Sequence, residues 1–315
     1  MTSAARPRLT VGLPVFDGER YLEASLRSIL DQTYSDFELV IADNASSDAT
    51  EDICRALSHV DARVRYVRHS ENIGAGPNHN FVFGQACGEL FRWAAADDLV
   101  RPTAFARCVD LLDDVGPSAM LAFSQTEVID EHSEHLRYWA AQGSVDQHTP
   151  DGRLGALIGQ PSGHLYSGGP MSPFYGVVRT AALRSTRLHQ SFYGSDSVLL
   201  VELALRGKLV EVPEALYVQR QHSAQSGGSW SSTKTALERD RWVDPGFRGI
   251  AMPQSRLLAG YFKAVLDAPL TSAERRRCLW AVAAVSRRNG TLRDAFGEIR
   301  RAPAAAAARL RPRSA

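Results

Sequence analysis

The chain has 315 residues, which is enough to bury a large core as one large domain or two small ones. Its 36 Lys and Arg residues nearly balance 35 Asp and Glu residues, and the formal charge of +1 gives no global attraction to nucleic acid or to an acidic surface. The four cysteines are far apart and form no CxxC pair, which argues against structural zinc and a disulfide framework and suits a reducing compartment.

The polar N-terminus, residues 1–8, does not have the pattern of a signal peptide. The longest suspicious apolar stretch, residues 279–285, is much shorter than the ~20 residues that a membrane-spanning helix needs. We therefore expect a soluble, cytoplasmic protein without a transmembrane segment.

The first hundred residues alternate between strand and helix patterns. Apolar runs predict strands at 9–15, 37–42, 64–68 and 90–96, and amphipathic patterns predict helices at 21–30, 48–57 and from the turn at Gly74 to about residue 86. Alternation at this spacing is typical of βαβ units with right-handed crossovers and a parallel sheet. A helix at 103–115 and a strand at 120–127 continue the pattern.

The pattern weakens between residues 130 and 172, where Gly, Ser, Pro and His are frequent, and we expect a functional lid or binding segment there. Beyond it the sequence predicts strands at 174–178, 208–212 and 216–221, and helices at 196–206, 254–266, 273–287 and 293–300. The Ala, Arg and Pro residues from Pro303 onward predict a disordered tail.

The most informative feature is the adjacent pair Asp97 and Asp98, which follows an apolar run of strand length. Two carboxylates repel each other where a buried strand meets solvent, so a cationic group is expected beside them. A divalent ion that carries a phosphorylated ligand is one interpretation. The other is an Asp-rich turn before the helix that follows Pro102.

Acidic residues also follow the first two predicted strands. Asp17 comes after the first strand, and Asp43 closes the second. In a parallel sheet both lie at the same edge as Asp97, where a carboxylate can accept hydrogen bonds from a base or a ribose. Ser47 or Asp48 can instead cap the next helix, whereas Asp43 lies too early in the chain to do so.

Two other patterns give weaker signals. The turn from Gly74 to His79 begins like G-x-G-x-x-G, but His79 replaces the third glycine and Pro77 lacks an N–H, so a dinucleotide site is not favoured. Residues 130–135 are rich in His, Asp and Glu, and a solvated loop explains them better than a zinc site does.

Asp196 and His222 are each open to two interpretations. Asp196 precedes an apolar helix, where it can serve as a cap alone or as a functional carboxylate that the helix N-terminus keeps ionised. His222 follows a strand, where it can ligate a metal or face solvent.

Ten stretches of the sequence form a pattern when they are taken in chain order: 11–17, 31–34, 37–48, 72–74, Asn80, 88–89, 97–98, 194–196, 206–208 and 216–222. In this order they resemble the family-2 glycosyltransferases of the GT-A fold. The resemblance covers residues 9–225 and does not extend to the C-terminal helices. It implies an α/β fold with a mixed, mainly parallel sheet flanked by helices, followed by a helical C-terminal extension.

The resemblance also implies a division of the chain. Residues 1–100 would form the nucleotide-sugar-binding half and residues 101–225 the acceptor-binding half with the catalytic base. Residues 226–302 would be the helical extension, and 303–315 the disordered tail.

The implied activity is metal-dependent, inverting transfer of a hexosyl or N-acetylhexosaminyl group from a UDP- or dTDP-sugar. The acceptor would be a hydroxyl or amine of a small-molecule, carrier-linked or glycan substrate. By the resemblance, Asp196 is the general base, and Asp98 and His222 hold Mn²⁺ or Mg²⁺. The residues expected to line the nucleotide are Pro14, Val15, Phe16, Asp17, Asp43, Asn72 and Asp97.

The sequence departs from the family pattern at Ala95, where a further Asp is frequent, and at Ser195, where Glu is frequent. Two alternatives therefore stay open, a nucleotidyltransferase that makes sugar nucleotides and a non-catalytic protein that binds them. We expect acceptor contacts from His164, Tyr166 and Trp230, because aromatic rings stack on sugar faces and apolar groups. We expect no nucleic acid partner, and a homodimer could form through the C-terminal helices.

Overall fold

The structure is a computed structural model that describes residues 6–139, 143–159, 172–223, 225 and 233–310, with side chains to residue 302. A mixed sheet runs through this part of the chain in the order β3-β2-β1-β4-β8-β6-β9-β5, and β7 pairs with β6. Its strands are β1 (Leu9–Val15), β2 (Phe37–Asp43), β3 (Val64–Arg68), β4 (Leu90–Trp93), β5 (Leu99–Val100), β6 (Ala119–Ile129), β7 (His135–Tyr138), β8 (Val177–Arg179) and β9 (Lys208–Arg220).

Helices cover both faces of the sheet. They are α1 (Glu19–Leu30), α2 (Thr50–Val60), α3 (Ala75–Gly84), α4 (Ala104–Val115), α5 (Pro150–Ile158), α6 (Thr180–Arg184), α7 (Ser195–Arg206), α8 (Ala236–Val243), α9 (Pro253–Asp267), α10 (Ser272–Arg288) and α11 (Thr291–Leu310). The predicted α/β class, with a helical C-terminal extension, is confirmed.

The parallel pairing of the N-terminal strands follows from the sequence pattern. β1 pairs in parallel with both β2 and β4, and β2 pairs in parallel with β3, as βαβ units require. Helix α1 buries Leu22, Leu26 and Ile29, which are spaced to form one apolar stripe against the sheet. On the other face α3 approaches β1 closely at Gly12, where a Cβ would lie 2.8 Å from side chains of Val82 and Phe91.

Several predicted boundaries differ from the structure. The two strands predicted at 208–212 and 216–221 are one strand, β9, and a register shift accommodates Pro213: Ser124 pairs with Val212, and Gln125 with Ala215. The segment predicted to be irregular contains β7 and α5. α11 runs past Pro303 to Leu310, so the predicted disorder of the tail is wrong for these residues. Their Ala-rich composition favours helix despite the proline.

The C-terminal helices pack onto two helices of the preceding part of the chain. α10 contacts α5, while α9 contacts α7 and α11. A capping box of Thr271 and Glu274 begins α10, and another of Thr235 and Glu238 begins α8. Among the described helices, none has the length and apolarity needed to cross a bilayer.

Candidate active site

The carboxyl ends of β1, β2 and β4 lie at one edge of the sheet. Val15 is aligned with Asp43, and Gly12 with Trp93, so the loops after the three strands emerge side by side. Asp17, Asp43 and Asp97 therefore reach the same edge, as the sequence predicted. In an open α/β sheet this edge is where ligands bind.

The two adjacent aspartates have different surroundings. Asp97 has a side chain that is 33% exposed, and its Oδ2 lies 2.9 Å from Nε2 of His222. Asp98 is buried, and its carboxylate accepts hydrogen bonds from the Tyr217 hydroxyl and from the backbone N–H of Arg220. Burial, and after it the negative charge of Asp97, raises the pKa of Asp98. Asp97 is thus partly open to solvent, whereas the hydrogen bonds of Asp98 connect the segment after β4 to β9.

His222 is held in place by aromatic and charged neighbours. Its ring lies 4.8 Å from the ring of Tyr21, and the Arg220 guanidinium lies 4.6 Å from the same tyrosine ring. Arg220 also donates from Nε to the backbone carbonyl of Asp97, at 3.1 Å. The Nδ1 atom of His222 is buried and has no hydrogen-bond partner among the described residues. The imidazole is therefore fixed in position with one nitrogen beside Asp97.

This donor set fits a hard divalent ion. A carboxylate oxygen and an imidazole nitrogen lie within hydrogen-bond distance of each other in Asp97 and His222. In the described residues no three His, Cys, Asp or Glu side chains converge to form a complete metal cage. Mg²⁺ is commonly bound by one or two carboxylates together with waters and substrate phosphates, so a two-residue site suffices when a diphosphate supplies further oxygens. The expectation that Asp98 is the ligand stays a prediction, and its hydrogen bonds favour Asp97 instead.

The loops after β1 and β2 are interlocked. Asp17 has a positive φ of 48°, and its Oδ1 accepts the backbone N–H of Ser47 at 2.8 Å. Asp48 bridges two helix starts, because its oxygens accept from the N–H of Thr50 and of Glu19. Asp48 thus accepts N–H groups at the starts of α1 and α2, although the cap residue of α2 is Ala49.

Among the residues predicted to line the nucleotide, Phe16 is well placed, with 48% exposure at the sheet edge. Pro14 is half-buried beside it. Val15 does not fit the predicted role, because its side chain lies in the core and its carbonyl accepts the N–H of Asn44. Side chains alternate along β1, so Val15 points into the core, although the prediction placed all residues of this segment at the nucleotide.

Asp43 has no exposed surface. Its Oδ1 accepts from the N–H of Ser46, and its Oδ2 from the Tyr66 hydroxyl and from Arg68, at 2.8, 2.7 and 2.8 Å. Arg68 also lies 3.1 Å from Glu51. A nucleobase would therefore meet the Arg68 side chain before it reached the carboxylate of Asp43.

Asn72 orders the loop that precedes α3. Its Oδ1 accepts from the Asn44 amide and from the backbone N–H of Gly74, at 2.8 and 2.9 Å. Gly74 adopts a φ of 92°, and a Cβ there would lie 2.5 Å from the carbonyl of Val243. Asn72 thus shapes the rim of the site, and a direct contact with a nucleotide stays a prediction.

Asp196 lies in the first turn of α7, after Gly194, which has a φ of 101°. Its Oδ1 accepts the N–H of Ser197 at 3.0 Å. Burial raises the pKa of Asp196 to about 7, against the opposing effect of that backbone hydrogen bond. The expectation that the helix N-terminus alone keeps this carboxylate ionised is therefore incomplete, because desolvation outweighs it.

Asn80 of α3 holds the loop that leads to Asp196. The Asn80 amide donates to the carbonyl of His189 at 2.9 Å and its Oδ1 accepts the His189 N–H at 3.0 Å. The His189 ring packs edge-to-face against Trp93 at the end of β4, with centroids 5.6 Å apart. These contacts couple the position of Asp196 to the strand that carries Asp97.

We expect Asn80→Ala to lower the turnover of the protein about 10-fold, because the loop before Asp196 loses two backbone hydrogen bonds of roughly 1 kcal/mol each. Steady-state kinetics with a working donor and acceptor measures this change. Thr186→Val is the control, since it removes two local hydrogen bonds in the same connection, to the Leu183 carbonyl and from the Leu188 N–H, without touching α3. Equal turnover in the two variants would contradict the coupling.

Comparison with known proteins agrees with this geometry. The model of the family described as "Glycosyl transferase family 2" matches residues 10–168. The chain belongs to glycosyl transferase family 2. Among its relatives, an uncharacterized glycosyltransferase of Rickettsia felis is 33% identical over 132 residues, which is 42% of this chain and 22% of the relative. The chain thus spans about a fifth of the length of this relative.

A longer match is with the GalNAc(5)-diNAcBac-PP-undecaprenol beta-1,3-glucosyltransferase of Campylobacter jejuni, which is 26% identical over 236 residues. It covers 73% of this chain and 71% of that protein.

Similar solved structures support the GT-A fold. S. aureus TarS in complex with UDP-GlcNAc has a TM-score of 0.62 at 16% identity, covering 89% of this chain and 72% of that one. The mannosyltransferase PcManGT from Pyrobaculum calidifontis in complex with GDP-Man and Mn²⁺ has a TM-score of 0.55 at 17% identity, covering 96% and 76%. At these identities the likeness concerns the fold.

The structure brings some of the predicted residues of this family 2 chain together and leaves others apart. Asp97, Asp98 and His222 form one cluster, and Asp17, Asp43 and Asn72 shape the loops beside it. Asp196 lies at the start of α7, and no described hydrogen bond joins it to the aspartate pair. The predicted acceptor residues His164, Tyr166 and Trp230 lie outside the described residues.

Sequence reasoning missed the residues that hold the acidic side chains in place. They are Tyr21, Tyr66, Arg68, Tyr217 and Arg220. Tyr217 and Arg220 lie inside the matching segment 216–222, so their place in the motif was the available signal. Tyr66 and Arg68 alternate along β3, and this spacing alone placed them on one face.

Proposed function

We propose that the chain is an inverting glycosyltransferase that moves a hexosyl or N-acetylhexosaminyl group from a UDP- or dTDP-sugar to a hydroxyl or amine. The observation that carries the proposal is the presence of two carboxylate sites in different environments. Asp97 is half-buried and paired with His222, whereas Asp196 is half-buried, accepts a hydrogen bond from the N–H of Ser197, and has a pKa that burial raises to about 7. The first suits binding of a diphosphate through a cation, and the second suits proton abstraction.

We place donor binding in residues 1–100 and acceptor binding in residues 101–225. The Phe16 ring is exposed where a base could stack on it, and Asp17 lies beside it. Asp43 would accept a hydrogen bond from a pyrimidine N–H, which requires the Arg68 side chain to move aside. A pyrimidine donor is supported by the likeness to a protein solved with UDP-GlcNAc.

Asp97 and His222 would hold Mn²⁺ or Mg²⁺ in this proposal. When bound, such an ion neutralises the charge that develops on the departing diphosphate. Tyr21 and Arg220 fix the ring of His222, and Asp98 fixes the start of the loop that carries it. Preorganised groups of this kind lower the barrier because little reorganisation is needed during reaction.

Asp196 would act as the general base. Its carboxylate removes the proton of the acceptor hydroxyl or amine while the acceptor atom forms a bond to the anomeric carbon. The bond from that carbon to the diphosphate oxygen breaks, and the nucleoside diphosphate leaves with the electron pair. Attack from the face opposite the leaving group inverts the configuration. A base with a pKa near the working pH is favoured for this step.

Aromatic residues beside Asp196 support an acceptor site there. Tyr193 lies three residues before Asp196, and its ring packs edge-to-face with that of Trp242, at 6.4 Å between centroids. Trp242 is partly exposed on α8. Such rings can stack against a sugar face or an apolar group. The predicted contacts from His164, Tyr166 and Trp230 belong to this proposal.

Donor screening tests the proposal most directly. Incubating the protein with UDP-, dTDP- and GDP-sugars and Mn²⁺, without acceptor, should give slow hydrolysis of a UDP- or dTDP-sugar, detected by mass spectrometry. EDTA should lower the rate at least 10-fold.

Asp196→Asn is the control for background hydrolysis by the metal itself. Release of pyrophosphate from a nucleoside triphosphate plus a sugar phosphate would contradict sugar transfer and indicate a nucleotidyltransferase. Donor binding by calorimetry without turnover on a broad acceptor panel would indicate a non-catalytic protein.

A further inference from the structure

Arg92 is a buried cation, and no described residue forms a hydrogen bond or an ion pair with its side chain. It lies in β4, six residues before Asp98, and is only 3% exposed. The Nε of its guanidinium is buried and has no hydrogen-bond partner among the described residues. The nearest aromatic contact is the ring of Phe105, at 5.2 Å. An uncompensated buried charge is costly, so another group must satisfy it.

A small cavity lies between Arg92 and the acidic pair. Its lining includes Arg92, Asp98 and Tyr217 together with the hydroxyl-bearing Ser25 and Ser28 of α1. The volume open to the centre of a water molecule is about 10 Å³, which is close to the minimum that one water needs. The lining surface is mainly apolar, but Arg92, Asp98, Ser25 and Tyr217 belong to it, and a buried water needs two to four polar partners of this kind.

The serines leave acceptor capacity in this cavity. The Ser25 hydroxyl donates to the Ala95 carbonyl at 2.7 Å, and the Ser28 hydroxyl donates to the Ser25 carbonyl at 2.7 Å. Their hydrogens are therefore committed, while the Ser25 oxygen can still accept. A water that accepts a hydrogen bond from Arg92 can donate one hydrogen to Asp98 and the other to Ser25.

We propose that Arg92 is a built-in counter-cation of Asp98, acting through a water in this cavity, and that it thereby positions the end of β9 that carries His222. An ionised carboxylate accepts stronger hydrogen bonds from the Tyr217 hydroxyl and from the N–H of Arg220 than a protonated one does, so a cation that faces Asp98 would strengthen both. Burial lowers the pKa of Arg92, and the negative charge of Asp98 is among the effects that oppose this. The water-mediated pairing of Arg92 with Asp98 is independent of sugar transfer. Only its consequence for His222 rests on the proposed function.

A double-mutant cycle on thermal unfolding tests the pairing. Arg92→Met and Asp98→Asn, measured in EDTA without donor, should each lower the Tm by roughly 5–10 °C, since each leaves a buried group uncompensated. The double variant should lose no more than the worse single variant. The matched control combines Arg92→Met with Asp43→Asn, because Asp43 is a buried carboxylate with its own arginine, Arg68, and these two effects should add. Additive losses for Arg92 and Asp98 would overturn the proposal.

Charge rescue provides a second measurement, which also applies if Asp98→Asn does not fold. Lys and Met have similar unbranched stems, and only Lys carries a charge. Arg92→Lys should keep the Tm within about 3 °C of the wild type, whereas Arg92→Met should not. With Mn²⁺ present, Arg92→Met should raise the Kd for UDP about 10-fold and Arg92→Lys less than 3-fold. Equal Tm values for the Lys and Met variants would show that Arg92 acts by packing alone. A Tm difference without a UDP effect would keep the ion pair and overturn the positioning of His222.

Discussion

Asp196→Asn is expected to lower kcat by about 10²- to 10⁴-fold, the usual contribution of a positioned general base. In the wild-type protein, kcat/KM should rise with pH through about 7 and then level off, because Asp196 has a pKa of about 7 and only its ionised form accepts a proton. A pH–rate profile between pH 5 and 9 with saturating metal measures both effects.

The matched control for this change is Asp151→Asn. Asp151 also lies in the first turn of a helix, α5, and pairs with Arg277 at 3.0 Å, so its replacement alters a helix terminus and removes one carboxylate in the same way. Its kcat should stay within about 2-fold of the wild type. Unchanged turnover in Asp196→Asn would remove Asp196 from the role of base.

The same substitution should stabilise the fold at neutral and alkaline pH. The folded-state pKa of Asp196 is raised above its unfolded value, so the unfolded chain gives up this proton first as the pH rises. Stability then falls between about pH 4 and pH 7. Asparagine, which cannot ionise, avoids this loss, and we expect a Tm a few degrees higher than that of the wild type at pH 8 and little difference at pH 4.

Asp97→Asn is expected to lower kcat/KM about 100- to 1000-fold and to weaken Mn²⁺ binding in the presence of UDP, since it removes the partly exposed carboxylate beside His222. The Tm should change by less than about 3 °C, because asparagine keeps a side-chain oxygen that can accept a hydrogen bond from Nε2 of His222. Electron paramagnetic resonance of bound Mn²⁺ and calorimetry of UDP binding measure the loss.

A matched pair of histidine variants tests the same site. His222→Ala should reproduce the loss of Mn²⁺ affinity, whereas His135→Ala should not, although His135 also pairs with a carboxylate, Glu127, at 3.0 Å in the exposed hairpin. Equal Mn²⁺ affinities for the His222 and His135 variants would rule out His222 as a ligand.

Much of the fold could be predicted from local patterns. The strands β1, β2 and β3 and the helices α1 and α7 match the predicted segments within a few residues, because apolar periodicity and turn residues are local signals. β5, β7 and α5 were missed. Two residues are too few to give a period in β5, and the exposed strand β7 has no apolar face that would distinguish it from a loop.

The acidic residues of the site were predictable as well, since strand ends in a parallel sheet meet at one edge. Their separate environments were not. Adjacent Asp97 and Asp98 look alike in the sequence, yet in the structure Asp97 pairs with His222, whereas Asp98 accepts hydrogen bonds from Tyr217 and from the N–H of Arg220. These partners come from residues more than a hundred positions away, so no local pattern could identify them.

The sequence by itself determined the order of strands and helices, the edge of the sheet at which the acidic residues meet, and the resemblance to family 2, because each depends on spacing along the chain. Only the tertiary structure decided which carboxylates are exposed, which are desolvated and which cations face them. A pKa near 7 for Asp196 and the buried Arg92 beside Asp98 both follow from burial, and burial is a property of the packed chain.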